Sequence, residues 1–138
     1  MQNNFFPLSA EELLNRINNI PKIKLAMLPT ALEYLPNISN ELEINLYIKR
    51  DDCTALAFGG NKTRHLEFIL AGVTSDKYDC ILTGAASQSN WCRQTVAAAN
   101  KLNLETFLTL MHGVKGGEMQ GNFLLYNLMG ANVDIVQG

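Results

Sequence analysis

Cys80-Ile81-Leu82-Thr83-Gly84-Ala85-Ala86-Ser87-Gln88-Ser89-Asn90 reads as a short apolar strand, a loop of small residues and the start of a helix. Ser89 or Ser87 caps that helix, whose apolar stripe is Cys92, Val96, Ala99 and Leu102. Downstream, Phe107-Leu108-Thr109-Leu110-Met111 is predicted to be a buried strand, followed by the loop His112-Gly113-Val114-Lys115-Gly116-Gly117. Phe123, Leu124, Leu128 and Met129 mark another helix, which Gly130 ends as a left-handed cap residue, and Val133-Asp134-Ile135-Val136 is a third strand. Strands alternating with helices predict an α/β fold: a parallel sheet with helices on both faces. In such sheets ligands sit beyond the carboxyl ends of strands, at helix N-termini, and residues 83–90 occupy that place with hydroxyls, amides and backbone N–H groups together.

Upstream, Ser9-Ala10-Glu11-Glu12 is a capping box, with Leu8 and Leu13 set for a hydrophobic staple. Leu13, Leu14 and Ile17 form one stripe, and Pro21 stops the helix. Residues 22–40, with Pro29 and Pro36, read as an extended connector with short turns, and Ile44–Lys49 as a half-buried strand. Then comes Phe58-Gly59-Gly60-Asn61-Lys62-Thr63-Arg64, opening a helix with Leu66, Ile69, Leu70 and Val73 on one side. Lys62 thus stands in a first helical turn, where the partial positive charge disfavours an ammonium and favours the neutral amine that attacks carbonyls. The glycine pair lets another body, such as a flat cofactor, approach the backbone closely.

The chain has 138 residues, 47% hydrophobic and 17% charged, enough for a sizeable core. A net charge of −2 with no Lys/Arg cluster argues against nucleic acid as a partner. Apolar runs fall well short of the roughly 20 residues of a membrane helix, and Met1–Pro7 does not look like a signal peptide, so a cytoplasmic protein is expected. Cys53, Cys80 and Cys92 are expected as reduced thiols, and with His65 and His112 they make no zinc spacing, so no metal site is expected. Asp51 and Asp52, beside Lys49 and Arg50, read as a surface charge cluster. No Gly-x-Gly-x-x-Gly and no Walker-type loop is found.

Three stretches together resemble one family. Ile48-Lys49-Arg50-Asp51-Asp52 leading into Gly59-Gly60-Asn61-Lys62-Thr63-Arg64-His65-Leu66-Glu67-Phe68 is similar to the lysine segment of the D-cysteine desulfhydrase and 1-aminocyclopropane-1-carboxylate deaminase family. Thr83-Gly84 through Gln88-Ser89-Asn90, then Arg93-Gln94-Thr95 and Ala97-Ala98-Ala99, resembles its serine-asparagine segment. Gly121–Leu125 with Met129-Gly130-Ala131 resembles its following helix and strand, and Leu28–Glu33 its connector. These are pyridoxal-phosphate enzymes of the tryptophan-synthase-β-like fold. The resemblance implies that Lys62 holds pyridoxal 5'-phosphate covalently and later moves protons, that Asn90 hydrogen-bonds the ring hydroxyl, and that Ser89 faces the substrate. The implied reaction is α,β-elimination from a small amino acid, giving hydrogen sulphide, ammonia and pyruvate, or opening of a cyclopropane amino acid. One departure is Trp91, where the family usually has histidine or glutamine.

Family members run to more than twice this length, and by the resemblance the remainder carries the phosphate cup and the partner of the pyridine nitrogen. Gly116-Gly117 offers only a crude phosphate loop in its place. The expectation is therefore an N-terminal part of such a lyase or deaminase. Residues 1–76 would be a lead-in bearing a strand and the lysine helix, and residues 77–138 a βαβαβ part of the smaller α/β domain. Little or no turnover is expected from it alone, and self-association or a complementing chain is expected to cover its apolar surface. The alternative is a non-catalytic remnant serving as an oligomerising or small-molecule-binding α/β module.

Overall fold

A computed structural model describes residues 8–112 and 118–136. Met1–Pro7 and the Gly113–Gly117 loop, with the glycine pair considered for phosphate, lie outside the described residues. Helix α1 (Ala10–Asn18) starts at Ser9, whose side chain accepts from Glu12 N while Glu12 reaches back to Ser9 N, closing the expected capping box. None of its residues is fully buried: Leu8, Leu13 and Leu14 are exposed and only Ile17 of the stripe is half-buried.

The region read as an extended connector contains two elements. Strand β1 (Leu32–Tyr34) pairs antiparallel with β2 (Tyr47–Lys49), and helix α2 (Pro36–Leu42) joins them. Pro36 is the signal that was available, because proline suits the first helical position, where its missing N–H has no partner to lose. Strand β2 is shorter than residues 44–49 and all three of its residues are exposed, so it is not the half-buried strand expected.

Helix α3 (Lys62–Ile69) buries Leu66 and ends beside buried Leu70, but Ile69 is 60% exposed and leaves the expected stripe. The parallel sheet then follows in order β3 (Cys80–Ala86), β4 (Glu105–Met111) and β5 (Asn132–Val136), with Leu82 opposite Phe107 and Phe107 opposite Asn132. Crossover helices α4 (Asn90–Lys101) and α5 (Gly121–Leu128) connect the strands. Helix α5 closes with a Schellman arrangement: Gly130 N donates to Asn127 O and Ala131 N to Tyr126 O, with Gly130 at φ 81°.

The α/β parallel sheet is as expected, but among the described residues the helices cover one face rather than two. Strand order follows chain order, and right-handed crossovers then put both connecting helices on the same side. Cys92, Val96, Phe123 and Tyr126 from the helices meet Leu108 and Leu110 in one core cluster. On the opposite face Leu82, Phe107, Met111 and Val136 are exposed, so β4 alternates between buried and open rather than being buried throughout. A second cluster (Leu25, Leu56, Leu66, Leu70, Ala98) joins α3 to the outer side of α4. Packed between sheet and α3, helix α4 therefore also buries Gln94, Thr95 and Ala98, beyond its single predicted stripe. No helix among the described residues is long and apolar enough to cross a membrane.

Candidate active site

The site is assembled from two helix N-termini. Lys62 is the first residue of α3, half-buried, and Ser89 and Asn90 open α4 just beyond the end of β3. The loop entering α3 is strained: Ala55, Ala57 and Phe58 all have positive φ, at 72°, 45° and 67°. The two glycines are required there by the protein's own packing. A Cβ on Gly59 (φ 74°) would stand 1.9 Å from Asp52 O, and one on Gly60 (φ 133°) would stand 2.4 Å from Gln94 Nε2. The close approach anticipated for a flat cofactor is thus occupied by a carbonyl and a carboxamide of this chain.

Gln94 is the residue that sequence reasoning missed. Fully buried on α4, it accepts from Thr63 N and Thr63 Oγ1, both at 2.6 Å, and donates to Gly59 O at 3.1 Å. Arg93 donates to the same Gly59 oxygen at 2.8 Å. Consecutive α4 side chains therefore clamp both flanks of Lys62, one helical turn beyond Asn90. The available signal was a polar pair on a helix that faces two layers, with no solvated face left to account for it.

On the other side, Ser89 Oγ accepts from Trp91 N and Cys92 N, so Ser89, not Ser87, caps α4. Its hydroxyl also lies within hydrogen-bonding reach of the buried Cys92 thiol. Beneath it, the fully buried Tyr126 hydroxyl is 2.9 Å from both Ser87 O and Ser89 O, and burial holds its pKa well above the ordinary tyrosine value. Tyr126 supports the loop from below and does not face a substrate. Trp91 also turns inward: its Nε1 donates to Thr83 Oγ1 at 3.0 Å and its ring packs against both core clusters. The position that departs from the family pattern thus builds the core.

Asn122, at the start of α5, links the pieces. It accepts from Arg93 Nη1 at 2.9 Å and donates to Asn90 Oδ1 at 3.0 Å and Gln88 O at 2.6 Å. Gln88 in turn accepts from Asn122 N and donates to Gln120 O, capping α5; a Cβ on Gly121 would fall 2.6 Å from Gln88 Oε1. Farther out, Asp51 receives two Arg64 hydrogen bonds and one from Thr30, which hold its carboxyl below the usual range. Asp52 pairs with Arg50, which also reaches Glu33. These carboxylates form a charge cluster, as read from the sequence. His65 is exposed, and the His112 ring meets Phe123 edge-on at 5.5 Å.

The two helix starts carry an amine, an amide donor pair and a hydroxyl, and hydrogen bonds through Arg93 and Asn122 tie the loop before Lys62 to Asn90. Arg93 is partly buried, has no carboxylate partner among the described residues, and leaves its buried Nε without an acceptor. Such donors suit an anionic or oxygen-rich ligand. The family described as pyridoxal-phosphate dependent enzyme matches residues 23–138. The chain belongs to that family. It is 40% identical over 126 residues to the D-cysteine desulfhydrases of Klebsiella pneumoniae (strain 342) and Salmonella paratyphi C (strain RKS4594), covering 88% of this chain and 38% of each relative. The crystal structure of an ACC deaminase homologue superposes with a TM-score of 0.81 at 38% identity, over 90% of this chain and 37% of that one. The chain thus spans well under half the length of these relatives, and the part matched by the family contains Lys62, Ser89 and Asn90.

Proposed function

We propose that this chain supplies the lysine half of a pyridoxal-phosphate enzyme acting on small amino acids, of the D-cysteine desulfhydrase or ACC deaminase kind. The observation that carries the reading is the hydrogen-bonded frame running from the Lys62 turn through Arg93 and Asn122 to Asn90. The donor set fits the ring end of the cofactor. Lys62 would hold it by its amine and move a proton at its Nζ. Asn90 would donate an N–H to the ring oxygen, and Ser89 would present its hydroxyl to the substrate. When bound, the cofactor supplies the electron sink that weakens bonds at the substrate α-carbon.

Turnover by this chain alone is expected to be slight. A phosphate dianion is held chiefly by charge-assisted donors, and by the family resemblance that cup belongs to the part of the relatives this chain does not span. A complementing chain or a second copy is the partner this reading calls for. Three free cysteines suit a reducing compartment such as the cytoplasm.

The test is a titration of the purified chain with pyridoxal phosphate, followed by borohydride reduction and mass mapping. Saturable labelling confined to Lys62, and lost in Lys62→Ala, is the expected result. Weak labelling scattered over many lysines would sink the proposal. It would favour the second reading, a non-catalytic association module, whose support is the open apolar sheet face of Leu82, Phe107, Met111 and Val136. Sedimentation of the wild-type chain tests that module: a monomer at all concentrations argues against it.

A further inference from the structure

We propose that Asn122 is a positioning residue that fixes which end of the Asn90 carboxamide faces the ligand. The inference rests on the reading that Asn90 meets the cofactor ring oxygen, and it starts from Arg93. A guanidinium can only donate, so the Asn122 atom 2.9 Å from Arg93 Nη1 must be its carbonyl oxygen. The Asn122 amide nitrogen is then committed to the other side, where its hydrogens meet Gln88 O at 2.6 Å and Asn90 Oδ1 at 3.0 Å. Both are acceptors, so every donor and acceptor of that carboxamide is matched.

The consequence passes to Asn90. Because its Oδ1 is held by Asn122, its Nδ2 must point away, and that nitrogen has no partner among the described residues. Asn90 is exposed at the first position of α4, so the two free hydrogens remain available to a ligand. Left alone, an exposed carboxamide has two nearly equivalent orientations, one donating and one accepting. A ring oxygen that carries negative charge needs the donating one. Arg93 reaches back to Gly59 O, two residues before the lysine's own neighbour Asn61, so the same charge that orients Asn90 also ties it to the Lys62 turn. The polarity of the site is thereby set before any ligand binds.

The test is Asn122→Asp, read first in the ligand-free chain. The new carboxylate keeps the pair with Arg93 but can no longer donate, so Asn90 turns its Nδ2 toward it. The expected sign in ¹H–¹⁵N spectra is that one Asn90 side-chain proton moves downfield and becomes protected from exchange. Pyridoxal phosphate affinity should then fall about tenfold or more, since a charge-assisted hydrogen bond is lost. Asn90→Asp should lose the same affinity while leaving the Asn122 signals in place. Should N122D fail to fold, Asn122→Ala removes the donor that holds Asn90 Oδ1. It is expected to shift the Asn90 side-chain amide signals and to lower pyridoxal phosphate affinity. An Asn90 amide unchanged in both N122D and N122A overturns the inference even where Lys62 labels normally. Loss of labelling in the wild-type chain, with Asn90 still responding to N122D, would instead overturn the cofactor reading and leave the orientation device standing.

Discussion

Replacing Gln94 with methionine should destabilise the chain more than any other single change of similar size on α4. Met has nearly the same length and fills the same space, so the perturbation removes polarity and little volume. In the structure Gln94 Oε1 accepts from two donors of Thr63, and Gln94 and Thr63 are both 0% exposed. Stranding a buried donor costs about 1–3 kcal/mol. The low end applies to each here, because Thr63 N keeps a longer contact to Gly60 O at 3.3 Å and Thr63 Oγ1 keeps one to Thr54 Oγ1 at 3.4 Å, while Gly59 O keeps Arg93. Two donors at about 1–1.5 kcal/mol each, less somewhat under 1 kcal/mol regained by not burying an amide, leave about 2 kcal/mol. That is roughly a thirtyfold shift in the folding equilibrium. For a chain of this size it corresponds to a Tm lower by roughly 6–10 °C. Thermal unfolding followed by circular dichroism, with urea titration at 25 °C as the second measurement, gives the number. A loss smaller than about 0.5 kcal/mol would refute the view that this clamp holds the lysine turn. The same variant should label less at Lys62 at fixed pyridoxal phosphate, because the turn that presents the amine is looser.

Other outcomes follow from neighbouring contacts. Glu67→Ala should cost about 2–3 kcal/mol in urea titration, because Glu67 Oε1 accepts from the buried Leu25 and Ala26 amides, at 2.9 and 2.8 Å. Tyr126→Phe should cost about 1–2 kcal/mol and weaken pyridoxal phosphate binding, since the carbonyls of Ser87 and Ser89 lose their shared donor. Asp51 makes stability depend on acid pH. Arg64 lowers its folded pKa, so its stabilisation is complete above the unfolded value near 3.9 and is lost as pH falls through the folded value. Asp51→Asn should therefore be less stable than wild type at neutral pH, with the gap closing below about pH 4 in parallel urea titrations.

Local chemistry made much of this protein readable. The capping box at Ser9 and Glu12, the serine cap of α4 and the glycine ending α5 are decided by residues within one helical turn, so spacing alone exposes them. The alternation of strand and helix from Cys80 onward likewise follows from side-chain periodicity, and with it the parallel sheet. Lys62 stood out because an ammonium is disfavoured in a first helical turn, whereas Ser89 and Asn90 stood out through the family resemblance of the segment that contains them.

What the sequence did not reveal depends on partners far along the chain. Strand β1 exists because Leu32–Tyr34 meets Tyr47–Lys49, and three residues carry no period of their own. Nothing local distinguishes Trp91 aimed at a ligand from Trp91 bonded to Thr83, because the choice is made by the space between sheet and helix. Gln94, Arg93 and Asn122 acquire their roles only when α3, α4 and α5 bring Gly59, Thr63 and Asn90 within reach, across separations of 29 to 35 residues. Sequence by itself determined the elements and the chemical candidates, since those are set by neighbours along the chain. The tertiary structure decided which carboxamide faces which donor, since hydrogen-bond direction is fixed by groups that meet only after folding.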